Sequence, residues 1–118
     1  MPRGLVYCHC TRCQRRTGTV FSVSAVAVPD SVTVTEGAEH VRSYEPEAGF
    51  HKQFCDHCGS QLFATDPESG DIWAVRVGTL DELPDLPVLA HQFVAYRAAW
   101  YPLPDDGAPR FDERMRLD

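Results

Sequence analysis

The sequence lacks the features that would place it in a membrane, on nucleic acid or outside the cell. It has no apolar run of about 18 residues or more, so no membrane span is expected. It has no basic surplus, since 11 Lys and Arg stand against 17 Asp and Glu, giving a net charge of −6. A net acidic chain does not attract phosphate backbones, so no nucleic-acid partner is expected. The first six residues do not form a signal peptide, which favours a cytoplasmic protein.

The sequence also has no internal repeat, low-complexity tract or linker. Its 118 residues are 43% hydrophobic and 24% charged, which is typical of a folded globular protein. We therefore expect a single domain over residues 1–118. Residues 102–118 contain Pro102, Pro104 and Pro109 and are expected to form a tail that wraps the surface.

Amphipathic helices are nearly absent, and the dominant hydrophobic period is two residues. The alternation predicts strands at Val20–Val28, Ser31–Thr35, Phe50–Phe54, Gln61–Thr65, Ile72–Val77 and Leu89–Arg97. In the first of these we expect Ser22 and Ser24 on the polar face. One helical turn is expected at Thr11–Thr17, ended by Gly18. These elements predict an all-β fold of antiparallel strands.

The five cysteines form two clusters, which favours metal binding over disulfides. The first cluster is Cys8, Cys10 and Cys13, and the second is Cys55 and Cys58, followed by Gly59. An odd count is unusual for a disulfide framework, and three thiols within six residues suit one ion better. The glycine permits a positive φ that aims both sulfurs of a Cys-x-x-Cys turn at one ion. We therefore predict Zn2+ bound by Cys8, Cys10, Cys13, Cys55 and Cys58.

Other uses of the thiols carry less weight. A redox Cys-x-x-Cys pair belongs near a βαβ pattern, which is missing here. An iron–sulfur cluster and inert free thiols remain as alternatives. Five thiolates do not divide into tetrahedral sites, so one arrangement is a closed four-cysteine site with a spare thiol. The other is a site on Cys8, Cys10 and Cys13 with an open fourth position, as in catalytic zinc.

Charged and aromatic residues near the cysteines have both functional and structural interpretations. Arg12, Arg15 and Arg16 would attract an anionic thiol, although a solvated surface face is by itself the favoured explanation. His9 and His57 lie inside the cysteine motifs, where they are alternative ligands or, more often, point outward. We expect His40, His51 and His91 to be ordinary surface or strand residues.

Several motifs together resemble one enzyme family. They are Cys8-His9-Cys10-x-x-Cys13-x-Arg15-Arg16-x-Gly18, Phe54-Cys55-x-x-Cys58-Gly59-Ser60-x-Leu62-Phe63, Gly78-Thr79-Leu80-Asp81, and Trp100 before an acidic tail. They resemble the glutathione-dependent formaldehyde-activating enzymes, a family that includes centromere protein V-like proteins.

This resemblance implies a zinc-bearing antiparallel β-tent fold of the Mss4-like type. It also implies carbon–sulfur lyase activity of the S-(hydroxymethyl)glutathione synthase kind, joining formaldehyde reversibly to the thiol of glutathione. Cys8, Cys10 and Cys13 would hold the catalytic zinc, and Cys55 and Cys58 would supply half of a structural zinc site.

Family members usually carry an earlier Cys-x-Cys-Gly hairpin, for which the seven residues before Cys8 leave no room. We therefore expect either a chain shortened at its N-terminus or one read from an internal start. Either Cys55 and Cys58 lose their zinc partners, or cysteines from both clusters regroup around one ion. The lost hairpin would expose a strand edge and favour a homodimer.

Two hypotheses about function follow. In the first, the chain is a zinc enzyme that acts on adducts of a small aldehyde and glutathione or a related thiol. In the second, it is a non-catalytic, zinc-stabilised β module that binds another protein.

Overall fold

A computed structural model of the chain describes residues 3–82 and 85–116. Its strands and single α-helix are β1 (Leu5–Cys8), α1 (Thr11–Thr17), β2 (Ser22–Val26), β3 (Val41–Tyr44), β4 (His51–Cys55), β5 (Gln61–Thr65), β6 (Ile72–Arg76) and β7 (Val88–Gln92). Short 3-10 helices cover Ala38–His40, Val77–Thr79 and Val94–Tyr96. The predicted all-β class is confirmed. None of the helices in the described ranges has the length and hydrophobicity of a membrane span.

The described residues fall into two compact units, and the first comprises Arg3 with residues 25–82. Its strands are hydrogen-bonded in the order β3-β4-β5-β6, and each neighbouring pair is antiparallel. The end of β2 follows β6, where the Ala27 N–H donates to the Trp73 carbonyl at 2.9 Å. Small and branched side chains fill its interior, namely Ala25, Val26, Ala64 and Val75.

The second unit comprises residues 4–24 with residues 85–116 and carries the first cysteine cluster. Its strands lie in the order β2-β1-β7, with α1 following β1. Val6, Cys8, Ala90 and Val94 form its buried apolar interior. The pair β1–β7 is parallel, which differs from the antiparallel prediction. These strands are about 80 residues apart in the chain, so no hairpin forces them to run in opposite directions.

The tail follows the outer edge of β7 without forming a strand of its own. The Phe111 N–H donates to the His91 carbonyl at 2.8 Å, and the His91 N–H donates to the Pro109 carbonyl at 2.9 Å. The Met115 N–H donates to the side chain of Gln92 at 3.1 Å. Backbone groups that an edge strand would leave unpaired are therefore satisfied by the tail. The predicted tail, 102–118, ends outside the described residues, as does part of the predicted single domain, which stays a prediction.

The alternation pattern was a reliable guide to some strands and misleading for others. Gln61–Thr65 is a strand with the predicted bounds, and α1 covers the predicted Thr11–Thr17. The strand predicted at Ser31–Thr35 is wrong, because that segment has no regular structure and is mostly exposed. Alternating Val and Thr favour a strand only where a neighbour supplies hydrogen bonds and a covered face. The strands β1 and β3 were not predicted.

The face assigned to β2 is also wrong. Ser22 and Ser24 were expected on the polar face, yet both are buried, as are Ala25 and Val26. Serine is small enough to pack inside when its hydroxyl finds a partner. When both faces of a strand are covered, the alternation of serine with apolar residues does not identify a face that is exposed to water.

Candidate metal centre

The first cysteine cluster is assembled by the end of one strand and the start of one helix. Cys8 is the last residue of β1 and is buried, whereas Cys10 and Cys13 are half-buried. Cys10 is the N-cap of α1, with extended backbone angles, and Cys13 lies in the first turn of that helix. The Cys13 N–H donates to Cys10 Sγ at 3.3 Å. A strand, a tight corner and one helical turn thus bring the three sulfurs together.

The distances among these sulfurs fit a tetrahedral metal ion. The three Sγ atoms all lie within 4.8 Å of one another. Cys8 Sγ and Cys10 Sγ are 3.5 Å apart. Zn–S bonds of about 2.3 Å in a tetrahedron place sulfurs roughly 3.8 Å apart, so small adjustments suffice for zinc. These three cysteines could hold a metal ion, and the assignment of zinc to them stays a prediction.

The protonation of Cys8 also suits an ion. Hydrogen bonds to Cys10 and Cys13, together with burial, raise the pKa of Cys8 far above its usual range. Without a cation, three adjacent thiolates would repel one another in a poorly solvated place. A divalent cation replaces the protons and satisfies the sulfur charges at once.

The second cluster lies in the other unit, at the turn between β4 and β5. Cys55 ends β4 and is half-buried, while Cys58 is exposed. Gly59 has φ of 81°, as the motif predicts, and its N–H donates to the Cys55 carbonyl at 2.8 Å. Hydrogen bonds from the side chain and backbone of Ser60 lower the pKa of Cys58. This turn resembles half of a metal site, and its role as a zinc ligand stays a prediction.

The arginines of the first motif all belong to α1. Arg12 and Arg15 are exposed, and Arg16 is half-buried. Arg15 and Arg16 lie in the last turn of the helix. A positively charged side chain there interacts favourably with the negative, carbonyl end of the helix dipole. Their position therefore has a structural explanation, and the attraction of an anionic thiol stays a prediction.

Two histidines of the second unit are buried, and one of them departs from the sequence-based expectation. His9 does not point outward, since it is 1% exposed, whereas His91 is a strand residue on β7, as expected, and is fully buried. Their rings are hydrogen-bonded, with His9 Nε2 and His91 Nδ1 3.2 Å apart. His91 Nε2 in turn lies 2.8 Å from Asp106 Oδ2 in the tail. His9 is not part of the group of mutually close ligand atoms formed by Cys8, Cys10 and Cys13.

The surroundings of His9 keep its ring neutral and fixed. Burial lowers the pKa of His9, and positive charge nearby, on a protonated His91 or on Arg97, acts in the same direction. The backbone N–H of His9 donates to the Gln92 carbonyl at 3.0 Å, and the backbone carbonyl of His9 accepts from the Gln14 side chain at 2.9 Å. Sequence reasoning missed this network because its members are 82 and 15 residues apart. Its only signal in the sequence is a histidine between two cysteines of the candidate metal centre.

Comparison with known proteins places the chain in a family. The sequence model of the glutathione-dependent formaldehyde-activating enzymes matches residues 1–96. A Penicillium rubens protein, named provisionally as such an enzyme, is 34% identical over 56 residues. That match covers 48% of this chain and 29% of the fungal protein, so the chain spans under a third of this relative.

A solved structure shows the same fold. The crystal structure of a Rhodobacter sphaeroides protein matches with a TM-score of 0.51 and 24% identity. The match covers 70% of this chain and 72% of that one. Because the family model covers most of the chain, including both cysteine motifs, this protein belongs to the glutathione-dependent formaldehyde-activating enzyme family.

Proposed function

We propose that the chain is a zinc-dependent carbon–sulfur lyase acting on adducts of a small aldehyde, such as formaldehyde, and a glutathione-like thiol. The observation that carries this proposal is the group of three cysteine sulfurs within 4.8 Å of one another. Three protein ligands leave one tetrahedral position for a ligand from solution. Family membership supports this class of substrate.

The chain's own residues would divide the work simply. Cys8, Cys10 and Cys13 would hold the ion. Zinc bound there supplies Lewis acidity that favours the thiolate form of an incoming thiol. In the overall reaction a C–S bond forms between the thiol sulfur and the aldehyde carbon, the C=O π bond breaks, and the proton that the thiol gives up ends on the aldehyde oxygen. The reverse reaction breaks the same C–S bond and releases aldehyde and thiol.

Cysteines that form no disulfide are consistent with the reducing cytoplasm that we propose as the location. None of the five cysteines, all of which lie within the described residues, forms a disulfide. Glutathione is abundant where disulfides are rare. The proposed β-tent architecture, the homodimer and the contribution of Cys55 and Cys58 to a second zinc site accompany this proposal and await their own tests.

The zinc-loaded chain is expected to bind glutathione saturably and to bind S-methylglutathione much more weakly. Blocking the sulfur removes the thiolate but leaves the rest of the tripeptide unchanged. Isothermal titration with both ligands, followed by an assay of formaldehyde consumption, tests the proposal. Zinc bound without any preference for the free thiol would overturn the enzyme and favour the non-catalytic β module.

Replacing Arg12 or Arg15 with glutamine is expected to raise the KM for glutathione about two- to fivefold at low salt. The effect is modest because both side chains are exposed and water screens their charges. It should fade as ionic strength rises, while kcat stays unchanged. Glutamine is a good helix former, so α1 should persist. Lys52→Gln, in the other unit, is the control for net charge. An unchanged KM would show that these arginines do not attract the thiol and only form a solvated helix face.

A further inference from the structure

The structure contains a buried hydrogen-bonded chain that runs from the tail to the loop between two cysteines of the metal centre. It consists of Asp106, His91 and His9, joined at 2.8 Å and 3.2 Å. Two of its members are buried, whereas the Asp106 side chain is 26% exposed. Two hydrogen-bonded imidazole rings contribute little hydrophobic stabilisation to an apolar interior. The burial of their polar atoms therefore needs an explanation.

The direction of the hydrogen bonds follows from the end that is known. An ionised carboxylate only accepts, so His91 Nε2–H donates to Asp106 Oδ2. The hydrogen bonds to His91 and to the Ala108 N–H lower the pKa of Asp106, so it is ionised at neutral pH. With its one ring proton on Nε2, His91 presents a lone pair at Nδ1, and His9 Nε2–H donates to it.

The other end of the chain agrees with this direction. His9 Nδ1 is buried and has no hydrogen-bond partner among the described residues. If the direction were reversed, that atom would carry a proton and become a buried donor without an acceptor. Buried N–H groups without partners are rarer and costlier than unpaired acceptors. His9 Nδ1 therefore carries a lone pair and no proton.

We infer that Asp106 is a positioning residue that acts through His91 to hold His9 as its Nε2–H tautomer, with Nδ1 as a hydrogen-bond acceptor beside the cysteine cluster. This inference goes beyond the proposed function, because the tautomer does not depend on turnover. Its consequence for catalysis does rest on that function. His9 lies between Cys8 and Cys10, so a fixed ring also fixes the backbone that aims two of the three sulfurs.

Asp106→Asn tests the direction of the chain with a minimal change in shape. Asp106 Oδ1 accepts from the Ala108 N–H at 3.0 Å, which the amide oxygen of asparagine can retain. The amide nitrogen would then face His91 Nε2 and could only donate. His91 would move its proton to Nδ1, and His9 would be forced into the Nδ1–H tautomer. Asp105→Asn, one residue away, is the matched control.

Long-range 1H–15N NMR of the histidine rings distinguishes the tautomers directly. In the wild-type full chain we expect His9 protonated on Nε2 and bare on Nδ1. Asp106→Asn should exchange these two signals, and Asp105→Asn should not. A wild-type His9 protonated on Nδ1 would overturn the inference without any variant. So would an Asp106→Asn spectrum in which both rings are unchanged.

Activity adds a second, separable readout. If the proposed function holds, Asp106→Asn should lower kcat/KM roughly ten- to a hundredfold, as loss of an indirect partner of a metal site does. Asp106→Glu should restore part of it, and Asp105→Asn should match the wild type. Absence of turnover in the wild type would count against the proposed function alone, since the NMR result stands without it.

Discussion

Replacing Cys10 with serine is expected to lower the affinity for zinc by more than about a hundredfold, beyond the effect of losing an indirect partner. Cys10 contributes one of the three sulfurs that lie within 4.8 Å of one another. A serine hydroxyl is a harder and much weaker ligand for zinc than a thiolate. Two remaining thiolates leave the ion only half coordinated by protein. Zinc per chain, and competition with a chromophoric chelator, measure the loss.

Serine at this position separates metal binding from folding of the helix. Cys10 is the N-cap of α1, and its sulfur accepts a hydrogen bond from the Cys13 N–H. Serine is among the preferred N-cap residues, so the helix should start at the same place. Far-UV circular dichroism of the zinc-free variant should therefore match that of the zinc-free wild type.

Cys58→Ser is the matched control for this prediction. Cys58 is exposed and belongs to the other unit. If Cys8, Cys10 and Cys13 form the centre by themselves, Cys58→Ser should keep the zinc that Cys10→Ser loses. Equal losses in both variants would show that the two clusters share one ion. Full zinc affinity in Cys10→Ser would contradict the assignment of the centre altogether.

The parts of this site that the sequence predicts are those built from local spacing. Cys8, Cys10 and Cys13 lie within six residues, so a strand end and one helical turn are enough to gather them. The helix at Thr11–Thr17 and the positive φ of Gly59 follow from equally local rules. In each case the residues that make the feature are neighbours in the chain.

The parts that escape prediction depend on distant partners. The contact between His9 and His91 spans 82 residues and requires the parallel pairing of β1 with β7. No local pattern predicts that pairing, because the two strands are not joined by a hairpin. The strand predicted at Ser31–Thr35 fails for the converse reason. Its alternation is local, but no strand among the residues that the structure describes pairs with it.

Replacing Gly4 with alanine is expected to lower the free energy of unfolding by about 1–3 kcal/mol, which is the usual cost of overpacking. Gly4 is buried directly before β1. A Cβ there would lie 2.5 Å from Leu89 Cγ and 2.8 Å from the Pro87 carbonyl oxygen. The backbone oxygen cannot turn away as a side chain can, so β1 and β7 must separate. Urea denaturation of the zinc-free chain measures the difference.

The same strain should be transmitted to the candidate metal centre, because β1 runs from Leu5 directly to Cys8. Zinc that binds only the folded chain stabilises it, so the free energy of unfolding of Gly4→Ala should rise as zinc is added. The gain should grow with the logarithm of the zinc concentration relative to its dissociation constant. Gly78→Ala is the control, since a Cβ at Gly78 meets no atom within 4 Å. Its stability should stay within about 0.5 kcal/mol of the wild type. Equal stability in the two variants would mean that β1 and β7 do not approach as closely at Gly4 as the structure requires.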